Sequence, residues 1–298
     1  MPLAAQSMPR FNAQVLSPFT LLSPTRQTVP VVLTSAHSGM AYPEDFLATT
    51  RLDPAMLRRS EDSFVDELFA SAPSHGIPLL SASFPRSFCD VNREAWELDP
   101  DMFVDPLPPW VNSGSHRVQS GLGMMARVVT SGVPIYRQKL PFSEAERRVR
   151  DYWQPWHDAL ERLVTETRAR FGACLLVDCH SMPRTELAPG TADFILGDLF
   201  GKSCGQAIVE ALERLIRSLG YTVRRNAPYA GGFITRNYGM PRKMAHAMQI
   251  ELARDLYMDE TTLRKSAGFA SLQAGLDQVL ANVATEAATW LQLANGSP

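Results

Sequence analysis

The chain has 298 residues, of which 45% are hydrophobic and 20% are charged, and its formal net charge is -2. This composition is typical of a globular protein with a large core, and it lacks the strongly basic balance of nucleic-acid-binding proteins. No apolar run approaches the ~20 residues of a membrane-spanning helix, and the N-terminus has no signal-peptide pattern, so membrane and secreted proteins are not expected.

The first half of the chain predicts two strands, one helix and a long loop region. After an irregular N-terminal arm at residues 1–28, the apolar run at 30–36 predicts a buried strand. Apolar residues at helical spacing predict a helix in the second part of 52–76, and 78–84 predicts another strand. Many of the 22 prolines lie in the loop-rich stretch 85–142, which predicts ordered loops that carry binding residues.

The second half alternates strands with helices. Capping-box pairs, Ser143 with Glu146 and Ser203 with Gln206, predict the starts of two amphipathic helices. Further elements are predicted as strands at 173–179, 192–197, 221–225 and 245–252 and as a C-terminal helical segment at 260–293. This alternation predicts an α/β fold, with a three-layer, mostly parallel mixed sheet and helices on both faces, in one domain over 1–298.

Two histidines stand where an apolar strand gives way to a turn, His37 in VVLTSAHSG and His180 in CLLVDCHSM. Ligands bind at this edge of open α/β sheets, and imidazole is a common zinc ligand. The alternative is that each is a hydrogen-bonded histidine at a strand end. Gly39 fits a turn or a close backbone approach. We expect Asp178 to lie on the opposite strand face from His180 and to be a poor ligand.

Three carboxyl groups are candidates for a metal ligand or a general base at this edge of the sheet. Glu61 and Asp62 begin a predicted helix, where either could be the third metal ligand or could simply meet the positive helix end. Glu251 ends an apolar strand, where burial would raise its pKa toward that of a general base. His246 on the same strand points away from Glu251. We therefore expect it to be a packed histidine, or one that contacts a metal ligand without binding the metal itself.

Several arginines are candidate carboxylate receptors. Arg93 follows Asn92 in a predicted loop, where a guanidinium can form paired hydrogen bonds with a carboxylate and the amide can orient it. Arg86 could share this role. Arg236 in GGFITRNYG is a second candidate, and the alternative for that segment is a hairpin with an exposed arginine.

Several segments together resemble one known family. In chain order they include AHSG, EDSFVDELF, RSFCDVNR, VDCHSM, DFILGDLFGKSC and GGFITRNYG, between about residues 30 and 260. They are similar to the N-formylglutamate amidohydrolases. The resemblance implies a zinc-dependent hydrolase with a phosphorylase/hydrolase-like fold, related to zinc carboxypeptidases. It implies cleavage of N-formyl-L-glutamate to formate and L-glutamate in histidine catabolism.

The resemblance also implies roles for the candidate residues. The ligands of one Zn²⁺ per chain are His37, Asp62 and His180, with Glu61 as the alternate acid because Ser63 stands where relatives usually have Trp. Asn92 and Arg93 resemble a pair that holds a substrate α-carboxylate, helped by Arg86. Glu251 is similar to a general base, and Arg236 is the candidate for the side-chain carboxylate of glutamate.

These interpretations predict a small dicarboxylate substrate, no nucleic-acid or membrane partner, and a chain that could form a homo-oligomer. The four cysteines lack paired C-x-x-C spacing, which favours reduced structural thiols in the cytoplasm. One alternative function is hydrolysis of another N-acyl amino acid or a small peptide. A second is a non-catalytic carboxylate-binding protein. Nucleotide binding is disfavoured because no glycine-rich phosphate loop lies between a strand and a helix.

Overall fold

The structure is a computed structural model that describes residues 17–129, 132–184 and 192–296. Its strands are β1 (Phe19–Leu22), β2 (Val31–Ser35), β3 (Leu79–Ala82), β4 (Cys174–Met182), β5 (Phe194–Gly197), β6 (Val223–Arg225), β7 (Ala245–Ala253), β8 (Met258–Asp259) and β9 (Arg264–Lys265). Its helices are α1 (Glu44–Thr49), α2 (Pro54–Arg58), α3 (Val65–Leu68), α4 (His116–Gln119), α5 (Phe142–Arg148), α6 (Gln154–Phe171), α7 (Gln206–Ser218), α8 (Phe233–Tyr238) and α9 (Phe269–Gly296). A π-helical segment, Val149–Trp153, joins α5 to α6.

Seven strands form one mixed sheet in the order β1-β3-β2-β4-β7-β5-β6. The central strands β3, β2, β4 and β7 are parallel, and β6 is parallel to β5. β1 and β5 run antiparallel to their inner neighbours, β3 and β7. The predicted mostly parallel mixed sheet is confirmed, and the carboxyl ends of β2, β4 and β7 lie side by side.

Helices cover both faces of the sheet. Val31 and Leu33 of β2 belong to a core shared with α7 and α9, whereas Val32 belongs to a core shared with α6. Successive strand residues face opposite sides, so a sheet buried on both faces produces the continuous apolar runs seen in the sequence. The three-layer prediction is confirmed. Across the described residues, the structure contains no helix with the length and apolarity needed to cross a membrane.

Several predicted element boundaries are wrong. The strand predicted at 173–179 continues to Met182, so His180 lies within β4 and not at the turn after it. The predicted irregular arm 1–28 contains β1, whose backbone pairs with the outer edge of β3; residues 1–16 of that arm lie outside the described residues. The predicted helical segment 260–293 becomes helical only at Phe269. Before that point β8 pairs with β9, and Leu263 between them has φ 55°, a left-handed conformation that a helix cannot contain.

Neither predicted capping box forms. Helix α5 begins at Phe142 after Pro141, so Ser143 lies inside the helix. Helix α7 begins after Gly205, and the Ser203 side chain does not cap it. Proline has no backbone NH to satisfy and has a fixed φ, which allows a helix to begin without a side-chain cap. The four cysteines are buried and unpaired, as the sequence predicts.

Arg148 of α5 is a buried arginine that ties this helix to two loops. Its Nη1 atom donates to the Phe88 carbonyl (2.6 Å) and to the Tyr136 hydroxyl (2.8 Å), and its Nε atom donates to Glu144 (2.7 Å). The guanidinium also lies 4.2 Å from the centre of the Phe88 ring. Only 1% of the Arg148 side chain is exposed, so its positive charge is satisfied by these protein partners and not by water.

Replacement of Arg148 by methionine should lower the free energy of unfolding by about 3–5 kcal/mol, because it removes one side of a buried ionic and hydrogen-bonded network. Urea unfolding of the purified variant measures this loss. Arg150→Met is the matched control, since Arg150 lies two residues later on the exposed side. If both variants unfolded at the same urea concentration as the parent, Arg148 would not hold these loops.

Candidate metal and substrate site

Three of the predicted residues meet at one edge of the sheet. His180 and Glu251 are register partners on β4 and β7, and His37 follows β2, which pairs with β4 on its other side. A Cβ at Gly39 would lie 2.3 Å from the Phe84 carbonyl oxygen. The turn after His37 therefore needs glycine for a close backbone approach, as predicted.

Asp62 joins the two histidines from the segment before α3. Its backbone NH donates to the His37 carbonyl (3.0 Å). Its Oδ2 atom lies 3.2 Å from His37 Nδ1 and 3.0 Å from His180 Nδ1, and all three side chains are buried. Burial raises the pKa of Asp62, but the contacts with His180 and His37 outweigh burial and hold that pKa well below its usual range. Asp62 is therefore a carboxylate.

Each histidine turns its other ring nitrogen toward a buried carboxylate. His37 Nε2 lies 2.8 Å from Asp90 Oδ1, and His180 Nε2 lies 2.6 Å from Asp178 Oδ2. The expectation that Asp178 faces away from His180 is wrong, because residues i and i+2 of a strand share a face. When each Nε2–H is donated outward, the two Nδ1 lone pairs are left facing Asp62.

A metal ion fits this donor set. The ligand atoms of His37, Asp62 and His180 lie within 4.8 Å of one another. Two imidazoles and one carboxylate match the three-ligand sites of catalytic zinc, which leave a position for water. Although burial lowers the pKa of His180, Asp178 and Asp62 raise it well above its usual range. The cluster thus stabilises positive charge at the point where a cation would bind.

The structure brings Asp62, and not the alternate acid Glu61, to the histidines. The Glu61 carboxylate accepts hydrogen bonds from the Tyr42 hydroxyl (2.5 Å) and from Arg58 Nε (3.1 Å) in a separate network. Arg254 Nη2 donates to the Oδ1 atom of Asp62 at 3.1 Å. Because Arg254 occupies Oδ1, the other oxygen of Asp62 is left to face the two histidines.

Glu251 lies beside this cluster and is buried. Its Oε1 atom accepts a hydrogen bond from Gln249 (3.1 Å). Burial raises the pKa of Glu251 to about 8; the charge of His180 opposes the increase and that of Asp62 adds to it. A carboxyl group with a pKa near neutrality is suited to take up and return a proton during a reaction.

The Asn92–Arg93 segment is held in place from three sides. Arg93 Nε donates to the Leu122 carbonyl (2.9 Å), and the Asn92 side-chain oxygen accepts from the Ile234 NH (2.9 Å) at the start of α8. Trp153 of the π-helical segment donates its indole NH to the Arg93 carbonyl (2.9 Å). The loop region 85–142 therefore presents these two side chains on a fixed backbone.

These residues surround one pocket of about 250 Å³, which suits a small molecule. Its lining includes the cluster His37, Asp62 and His180 together with Glu251 and Asn92. It also includes four guanidinium groups, those of Arg86, Arg93, Arg117 and Arg254. Arg86 donates to Asp90 at 2.9 Å, so it is aligned by the same carboxylate that orients His37. The pocket thus combines a cluster that could hold a metal ion with a cationic wall.

Comparison with known proteins agrees with this geometry. The family model for N-formylglutamate amidohydrolase matches residues 29–258. The chain belongs to this family. An N-formylglutamate deformylase from Pseudomonas putida is 30% identical over 239 residues, which cover 78% of this chain and 83% of the relative. The crystal structure of an N-formylglutamate amidohydrolase from Ralstonia eutropha JMP134 is 37% identical, has a TM-score of 0.83, and covers 91% of this chain and 98% of that chain.

Two predicted residues do not reach the pocket of this N-formylglutamate amidohydrolase family member. Arg236 lies on the exposed side of α8, with its guanidinium 5.8 Å from the centre of the Phe233 ring. The hairpin alternative for this segment is also wrong, because the segment is helical. His246 lies five residues before Glu251, about 16 Å along the strand, and accepts a hydrogen bond from the Gly205 NH (3.0 Å).

The sequence reasoning missed four residues of the site, namely Asp90, Asp178, Arg117 and Arg254. The two-residue period of a strand was a sufficient signal for Asp178. Arg254 follows Glu251 by three residues, directly after β7, and its place next to the end of this apolar strand was a usable signal. Asp90 lies in a loop and Arg117 in the one-turn helix α4, where spacing alone does not indicate which way a side chain points.

Asp178→Asn should weaken metal binding ~10- to 100-fold, because the carboxylate that orients and polarises His180 is lost. Competition with a chromophoric chelator measures the dissociation constant. Asp277→Asn is the matched control, since Asp277 lies 2.7 Å from His75 outside the pocket. Equal metal affinity in both variants would show that Asp178 does not support the metal ligand.

Proposed function

We propose that this protein hydrolyses N-formyl-L-glutamate to formate and L-glutamate with the help of one zinc ion per chain. The observation that carries the proposal is the buried cluster of His37, Asp62 and His180 beside Glu251, in a pocket walled by arginines. Membership of the N-formylglutamate amidohydrolase family supports the reaction. The donor set supports zinc, which binds imidazole and carboxylate ligands in three-ligand catalytic sites.

Each group has a role in the proposed reaction. Zinc held by His37, Asp62 and His180 would lower the pKa of water and polarise the formyl carbonyl. Glu251 accepts a proton from the attacking water and returns it to the amide nitrogen as the C–N bond breaks. The water oxygen is retained in formate, and L-glutamate leaves with a free amine. Arg86 supplies positive charge near the oxygen that becomes negative during attack.

The arginine wall supports a substrate that carries carboxylates. Arg93 is buried and fixed by the backbone carbonyls of Leu122 and Asn92, and its carboxylate partner Asp90 lies 3.8 Å away and also pairs with Arg86. A guanidinium held in this way is prepared for a bidentate interaction with a carboxylate. We therefore assign the substrate α-carboxylate to Arg93 and Asn92, which places the formyl amide toward the metal cluster and Glu251.

A substrate series tests this function. Purified protein is supplied with N-formyl-L-glutamate, N-acetyl-L-glutamate and a glutamate-containing dipeptide, and the release of free amine is measured. We expect the formyl compound to have the highest kcat/KM. Faster cleavage of the acetyl compound or the dipeptide would support the alternative N-acyl or peptide hydrolase. Binding of glutamate without any cleavage would support a carboxylate-binding protein.

Four further features that the sequence suggests remain predictions. They are a place in histidine catabolism, a cytoplasmic location, assembly into a homo-oligomer, and the organisation of residues 1–298 as one domain. The small dicarboxylate partner follows from the proposed reaction and is tested with it.

A further inference from the structure

Arg117 is joined to Arg93 through a single residue. The Leu122 NH donates to the Arg117 carbonyl (2.8 Å), and the Leu122 carbonyl accepts from Arg93 Nε (2.9 Å). Helix α4, which carries Arg117, is capped by Ser115, whose hydroxyl oxygen accepts from the Val118 NH (3.1 Å). The backbone of Arg117 is therefore fixed beside the proposed α-carboxylate site, and its side chain lines the same pocket.

Arg117 differs from the other arginines of the pocket in its partners. Arg86 donates to Asp90, and Arg254 donates to Asp62. Arg117 is exposed, and within the described parts of the chain its guanidinium makes neither a hydrogen bond nor an ion pair, while its backbone carbonyl accepts from Leu122. It is thus a cation at the pocket mouth with no carboxylate to neutralise it.

The positive charge of Arg117 acts on Arg93 inside the pocket. Burial lowers the pKa of Arg93, and although Asp90 opposes this effect, the nearby charges of Arg86 and Arg117 lower it further. Like charges repel one another, and the carboxylate of Asp90, which pairs with Arg86 and Arg93, forms no ion pair with Arg117 in the described part of the chain. A substrate with one carboxylate would bind to Arg93 and Asn92 and would leave the charge of Arg117 unpaired. A second carboxylate on the same substrate would pair with Arg117.

We propose that Arg117 binds the side-chain carboxylate of the substrate and thereby selects a dicarboxylate over its uncharged counterpart. This inference rests on the proposed function, and it replaces Arg236 with Arg117 as the residue that determines specificity. The flexible arginine side chain enters from the open side of the pocket. The α-carboxylate and the formyl group are held deeper, at Arg93 and at the metal cluster.

The test compares N-formyl-L-glutamate with N-formyl-L-glutamine, in which a neutral amide replaces the side-chain carboxylate. The kcat/KM ratio of these two substrates is measured for the parent, for Arg117→Gln and for Arg117→Lys. Arg214→Gln, at an exposed position of α7, is the matched control. We expect Arg117→Gln to lower the ratio ~10- to 100-fold, as loss of a charge-assisted hydrogen bond would, and Arg117→Lys to retain part of the preference.

An unchanged ratio in Arg117→Gln would overturn the inference. So would an equal fall in kcat/KM for both substrates, since Arg117 would then act on the part that they share. If the parent cleaves neither substrate, the proposed function fails first. A parent that cleaves N-formyl-L-glutamate while Arg117→Gln keeps its full preference contradicts only the role of Arg117.

Discussion

Glu251→Gln should lower kcat by ~10²- to 10⁴-fold while the protein keeps its metal, because glutamine fills the same space but cannot accept the proton from the attacking water. The three proposed metal ligands belong to other elements and are not altered. Steady-state formate release and elemental analysis of the same sample separate the two effects. Glu161→Gln on the exposed surface of α6 is the control and should behave as the parent.

The pH dependence of the stability of the metal-free protein provides an independent check on the raised pKa of Glu251. Its folded pKa of about 8 lies above the ordinary glutamate value because the carboxyl is buried. The folded state therefore keeps a proton that the unfolded chain releases, so this residue makes stability fall as pH rises from the ordinary value through about 8. The glutamine variant should lack this part of the pH dependence. Near-normal turnover in that variant would remove Glu251 from the proposed base role.

His180→Ala should abolish both metal binding and turnover. It removes one of the three proposed ligands, and it takes from the buried carboxylates Asp178 and Asp62 an imidazole that both contact. Elemental analysis after gel filtration measures bound metal, and formate release measures activity. His75→Ala removes a histidine that pairs with Asp277 outside the pocket, and it should change neither quantity. Full activity in His180→Ala would exclude the cluster as the catalytic centre.

The sequence was sufficient for features that depend on short-range periodicity. Continuous apolar runs identified the central strands. His37 after β2, and His180 and Glu251 near the ends of β4 and β7, lie at one sheet edge because parallel strands place their carboxyl ends together. Asp62 and Glu61 were harder to distinguish. Only the fold shows that Tyr42 engages the Glu61 carboxylate, while the backbone NH of Asp62 is held by His37.

The sequence was insufficient where a side chain's direction depends on distant packing. Arg236 was assigned to the substrate from the glycine pair before it. Those glycines instead let the start of α8 approach the loop, since a Cβ at Gly232 would lie 2.3 Å from the Asn92 side-chain oxygen. Arg236 then lies on the outer face of the helix. Arg117 lines the pocket instead, from the short helix α4, which nothing in the local sequence pattern connects with the strands.

The most direct test of the metal-dependent reaction is to titrate metal-stripped protein with Zn²⁺ and follow hydrolysis of N-formyl-L-glutamate. We expect no turnover without metal, equal amounts of formate and L-glutamate as zinc is added, and a maximum rate at one ion per chain. Full turnover by the metal-stripped protein, or a zinc-loaded protein that leaves N-formyl-L-glutamate intact, would contradict the assignment of this cluster as a hydrolytic metal site.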